Sequence, residues 1–157
     1  MDRLQRIAIA NGLLVVMAAM LAGFMLIFSL IGGWELWPGN IVSFSVYGTS
    51  EGWVRAHSGG AMNGILLVVI GLALPKMGLS EKRQRLMVYG FMAVAWGFTA
   101  FYWLGNAAGN RGLSFGTNQL GNSDVFGILG FIFGALPVFL VMYLLVIAAK
   151  GLLKDSN

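Results

Sequence analysis

The sequence predicts an all-α membrane protein, a four-transmembrane-helix bundle with N- and C-termini cytoplasmic and two longer outer loops. Three observations predict it. Apolar residues make up 58% of the 157 and charged residues only 10%, against about 25% charged in soluble domains. A soluble fold of this chain would lack the polar side chains to cover its surface. Four stretches, about 7–31, 56–74, 86–104 and 125–149, are long and apolar enough to cross hydrocarbon, which takes about 20 residues at 1.5 Å rise each. The third observation is where the basic residues fall. Arg3 and Arg6, then Lys76, Lys82, Arg83 and Arg85, then Lys150 and Lys154 lie in three segments that four spans place on one side, leaving Arg55 and Arg111 on the other. The positive-inside rule puts that richer side, and with it both termini, in the cytoplasm. Clustered this way, the net charge of +4 serves topology, with no nucleic acid as partner.

Each element follows in order. The first span, Ile7–Ile31, has room to tilt; its apolar core is too long for a signal peptide and no small-x-small cleavage site follows it. The first outer loop, Gly32–Val54, carries Trp34, Trp37 and Trp53, which suit an interfacial aromatic belt. Within it "NIVSFSVYG" alternates apolar and polar from Val42 to Val46, the pattern of a short strand or hairpin. The second and third spans, Ala56–Leu74 and Leu86–Leu104, are joined by the short charged connection "PKMGLSEKRQR". The second outer loop, Gly105–Asp124, is rich in Gly and Asn, and its end, Asn122-Ser123-Asp124, supplies side chains that cap the fourth span. No linker or internal repeat divides the chain, so residues 1–157 read as a single four-helix transmembrane domain. Outer loops this long are expected to cover something. There is no cysteine, which excludes disulfides, thiolate ligands, iron–sulfur clusters and covalent CxxCH haem attachment.

The single histidine sits where the second span begins, in "EGWVRAHSGGAMNG". Residues three, four and seven apart share a helix face, so the His57 face runs through Gly60, Ala61, Gly64 and Gly71. Two readings compete for that strip: close helix packing of the GxxxG kind, or room for a flat ligand coordinated by His57. The Gly130/Gly134 pair reads as packing. Burying an ionisable group in a membrane is costly, so an imidazole there is a functional candidate; the alternative is a hydrogen bond to an outer loop. The spans hold almost no acidic residues to serve as proton-relay partners. One imidazole cannot build a zinc site, which needs three or four protein ligands, whereas a porphyrin brings four nitrogens of its own. If a metal is bound at His57, haem is the simplest choice.

Other polar groups agree in depth. Asn63 lies six residues after His57, about 120° around the helix, and shares a leaflet with Tyr102. For Asn63 the alternative is an interhelical hydrogen bond, and for Tyr102 an ordinary belt position. Arg55 and Arg111 suit an anionic group such as a haem propionate, or equally a lipid head group. The nine methionines read as packing, with Met62 the one within reach of a metal.

Four blocks, "GGWELWPG", "EGWVRAHSGGAMNG", "FYWLGN" and "NRGLSFGTNQLG", together with their spacing, make the chain resemble the styrene oxide isomerase family, from the first span to the start of the fourth. The resemblance implies a homotrimer with haem b near the subunit interfaces, its iron ligated by His57. It implies that Asn63 and Tyr102 form the substrate site for a lipophilic aryl epoxide. The reaction implied is a Meinwald rearrangement to an aldehyde, phenylacetaldehyde from styrene oxide, with ferric haem as Lewis acid. Gly60, Gly64 and Arg55 join His57 as cofactor-binding candidates. Where the family is expected to carry an aspartate, eight residues before the tyrosine, this chain has Val94. The rival expectation is a small membrane haem protein for electron transfer or sensing, and a further one is a haem-free packing subunit.

Overall fold

The computed structural model describes residues 1–153; Lys154 lies outside the described residues. Its elements are α1 (Arg3–Ile31), a hairpin of β1 (Gly33–Trp37) and β2 (Asn40–Ser43), α2 (Ser50–Ala73), a single 3-10 turn (Leu74–Met77), α3 (Glu81–Ala107) and α4 (Val125–Leu152). All four helices are long and apolar enough to cross a membrane.

Each helix overruns its apolar stretch by a polar turn, because its caps lie outside the hydrocarbon. Asp2 opens α1 with a capping box, its carboxylate accepting from Gln5 N at 2.8 Å while the Gln5 side chain accepts from Asp2 N. Thr49 caps α2 through Gly52 N at 3.1 Å. Asp124 caps α4 through Gly127 N at 2.8 Å, the role its position predicts.

Small residues decide how the helices meet. The buried positions of α1 are Gln5, Ala8, Gly12, Val15, Ala19 and Ala22, alternating three and four apart, so one narrow seam of mostly small side chains lies on α2. There the two backbones touch: a Cβ on Gly12 would fall 2.7 Å from the Gly64 carbonyl oxygen, and one on Gly64 would fall 2.6 Å from the Gly12 carbonyl. Without a hydrophobic drive between helices in lipid, this close approach supplies the van der Waals contact that holds them. Gln5 adds a buried polar tie, donating to Gly71 O at 3.2 Å. α3 packs on both α1 and α2, and α4 packs chiefly on α3. Its Pro137 seats against Gly97, and Gly130 lies close to the backbones of Gly105 and Gly112.

The core divides in two. An inner cluster holds Leu67, Leu74, Met87, Phe91, Val94 and Leu144. The outer one is built on Ala22, Trp53 and Ala56, with Tyr102 and Trp103 against it. Large apolar side chains elsewhere face outward, among them Leu13, Met17 and Phe24 of α1 and Leu136 and Phe139 of α4, as a lipid solvent allows.

Two sequence expectations shift. The strand pairing lies earlier than the Val42–Val46 alternation and ends at Ser43, because Pro38-Gly39 makes the turn, with Gly39 at φ +80°. Trp53 is fully buried rather than part of a belt: its indole donates to Tyr47 O at 2.9 Å and meets Trp103 edge-on. Trp34 and Trp37 are exposed.

Candidate functional site

His57 stands in the second turn of α2, facing α1. Its Nδ1 lies 2.9 Å from the carbonyl oxygen of Ala19. A carbonyl only accepts, so Nδ1 carries a proton, and the neutral ring then has its lone pair on Nε2, the tautomer of a ligating imidazole held by its other nitrogen. Gly23 makes the fit possible, since a Cβ there would come within 2.8 Å of Nδ1. The ring borders an open groove of about 330 Å³ lined by Met20, Gly23, Phe24, Leu26 and Ile27. Every one of those partners comes from α1.

Gly60 and Gly64 do not form a trough beneath the ring. Both are buried against α1, where a Cβ on Gly60 would meet that of Ala19 at 3.0 Å and one on Gly64 would meet the Gly12 backbone. Helix packing is the reading their surroundings support, because α1 fills the space their missing side chains leave. Met62 points outward, 72% exposed.

A second face of α2 meets α3 through Arg55, Gly59 and Asn63, each four residues from the next. The Tyr102 ring lies across Gly59, where a Cβ would come 2.6 Å from Cζ and 2.7 Å from the hydroxyl oxygen. The buried Asn63 amide Nδ2 lies against the Tyr102 hydroxyl and interacts with it, but falls short of full hydrogen-bond geometry. Buried amides normally find partners, and an orphan needs a reason. Here the Tyr102 hydroxyl is at hand, and the amide keeps the capacity to donate to a further oxygen. Val94 is buried in the inner cluster, whereas Tyr102 packs against the outer one.

The outer loops hold this end in place. Asn106 bridges to Thr49 N at 2.9 Å, tying the end of α3 to the start of α2. Asn110, fully buried, donates to Ser114 O and Gly116 O and accepts from Gly112 N. Arg55 and Arg111, remote in sequence, line one small cavity with Tyr102 and Asn106. Sequence reasoning missed Gly23, Gly59, Asn106 and Asn110. The four-residue spacing Arg55-Gly59-Asn63 was the available signal for Gly59; the others had none.

The fold and site define a small polytopic membrane protein with one imidazole on an open apolar groove and a buried polar pair on another face of the same helix. A family model described as Styrene oxide isomerase matches residues 4–153. The chain is 37% identical over 132 residues to the styrene-oxide isomerase of Pseudomonas fluorescens, covering 82% of this chain and 78% of that one. It belongs to the styrene oxide isomerase family and is an isomerase.

Proposed function

We propose that this epoxide isomerase converts an aryl epoxide, such as styrene oxide, to the aldehyde by a Meinwald rearrangement, with haem b held by His57. The observation that carries the reading is the His57 ring, its Nδ1–H anchored on Ala19 O and Nε2 left as a donor. The residues fit the group. Among the described residues no cluster of His, Cys, Asp or Glu could hold a bare metal ion, so a single imidazole calls for a metal that brings its other donors. The apolar groove beside His57 suits a macrocycle. A ferric haem held there supplies a Lewis-acidic position for an epoxide oxygen.

The substrate's own chemistry balances without a redox partner. The benzylic C–O bond breaks, a hydride moves from the neighbouring carbon to the benzylic one, and the remaining C–O becomes the aldehyde carbonyl. The protein's part is to orient and to keep water away. The Asn63 amide and the Tyr102 hydroxyl are the polar groups placed to fix the epoxide, and the apolar walls prevent capture of the cation as a diol. Within one subunit His57 faces α1, while Asn63 and Tyr102 face each other across α2 and α3. The groove at His57 has two walls in one subunit. Both facts favour a site completed by a neighbouring subunit, as in the homotrimer that the resemblance implies.

Styrene oxide added to membranes holding the protein should yield phenylacetaldehyde by chromatography. Failure to form it, with haem present and redox-active, would favour the electron-transfer reading instead.

Asn63→Leu separates a substrate role from a structural one. It removes a buried amide that has only an imperfect contact with the Tyr102 hydroxyl, so stability should hold to within about 1 kcal/mol, while turnover falls roughly 10-fold or more. A loss of melting temperature beside the loss of turnover would make Asn63 a structural hydrogen-bonder.

The orientation proposed, both termini in the cytoplasm of a bacterial inner membrane, is checked with single cysteines in this cysteine-free chain. Ser43→Cys in the hairpin should react with an impermeant maleimide on spheroplasts, and Ser80→Cys only after permeabilisation. The reverse pattern would invert the topology.

A further inference from the structure

We infer that Arg55 and Arg111 together form one carboxylate site at the outer end of α2 and α3, and that it takes the propionate of the porphyrin. The inference rests on the haem reading above. These are the two basic residues outside the cytoplasmic clusters, and the fold brings them from opposite loops to one cavity, with Tyr102 and Asn106 in its wall. Among the described residues the one ion pair is Arg85 with Glu81, at the other end of the molecule; the exposed Glu51 carboxylate feels the charge of both guanidiniums but pairs with neither. Two cations converging on one cavity repel each other, and an anion between them relieves that repulsion. Guanidinium groups match a carboxylate with two parallel hydrogen bonds.

The backbone is built to hold the second cation there. Arg111 is the one non-glycine residue at positive φ, +58°, among the described residues. An L side chain in that region carries strain, and the buried Asn110, with its bonds to Gly112, Ser114 and Gly116, keeps it so. Size sets the class of occupant. The cavity measures about 50 Å³, whereas a cavity of about 150 Å³ is what binds benzene. A carboxylate fits; an arene or a macrocycle does not. The charged end of a ligand therefore enters here while its body lies in the bilayer. Because the pair faces α3, on the far side of α2 from the His57 groove, the propionate belongs to a porphyrin held across a subunit boundary.

Full-length protein from haem-depleted cells, in phosphatidylcholine nanodiscs, is titrated with hemin and with hemin dimethyl ester while the Soret band is followed. Free-acid hemin should bind roughly 10-fold or more tightly than the ester. Arg55→Gln and Arg111→Asn, the latter chosen because asparagine tolerates the left-handed backbone, should each erase most of that difference and leave ester binding unchanged. Equal binding of acid and ester by the unaltered protein overturns the inference while leaving the haem reading intact. In that case, retention of phosphatidylglycerol by the unaltered protein and its loss in the variants would assign the site to a lipid phosphate. No Soret shift with either compound overturns the haem reading and this site together.

Discussion

Protein carrying His57→Ala should be colourless, without a Soret band, and should form no detectable aldehyde, yet keep its helical content and melting temperature to within a few degrees of the haem-free parent protein. The imidazole makes one hydrogen bond to the protein, to Ala19 O, and such a bond contributes only about 1 kcal/mol net. Its loss cannot unfold four packed helices. The loss of function should be complete because the other groups near the groove, Met20, Gly23, Phe24, Leu26 and Ile27, offer no comparable nitrogen donor. Imidazole added to the variant should restore part of the Soret band, since the space beside Gly23 that the ring leaves is shaped for it. A variant that stayed red and active would remove His57 from the mechanism.

Gly64→Val should be strongly destabilising. The first carbon of the new side chain would fall 2.6 Å from the Gly12 carbonyl oxygen, and Val16 crowds the same spot. A flexible side chain could swing aside, but the Gly12 backbone can move only if α1 does. Overpacking costs typically 1–3 kcal/mol, and a clash with backbone belongs at or above the upper end, about 3 kcal/mol. In detergent this should appear as a large drop in melting temperature. Gly60→Ala, which meets only Ala19, its methyl at 3.0 Å and its Cα at 3.6 Å, should lower stability less and leave hemin affinity nearly unchanged. If Gly60→Ala instead abolished hemin binding at unchanged stability, the strip would be a ligand surface after all.

Much of this was legible in the sequence, and for local reasons. The existence of four spans follows from side-chain hydropathy, which is a property of each segment and its solvent. The cap at Asp124 follows from one side chain and the free amides beside it. His57 stood out because a lone imidazole at a membrane boundary has few uses. Asn63 at 120° from His57 was equally readable, since helix periodicity fixes relative azimuth.

What the sequence by itself determined, then, was the solvent, the number of helices and the azimuth of each residue on its own helix. Which neighbour occupies each azimuth was decided only by the tertiary structure. A glycine records an absence, and the same absence at Gly60 and Gly64 serves a ligand or a second helix; α1 took that space, with its own small seam from Gln5 to Ala22. The ring of His57 consequently rests on Gly23, and Trp53 lies inside rather than at the boundary. Arg55 and Arg111 share a cavity because the second outer loop folds back over the end of α3 around Asn110. Long-range packing sets such meetings, and no single segment carries the energy that chooses among them.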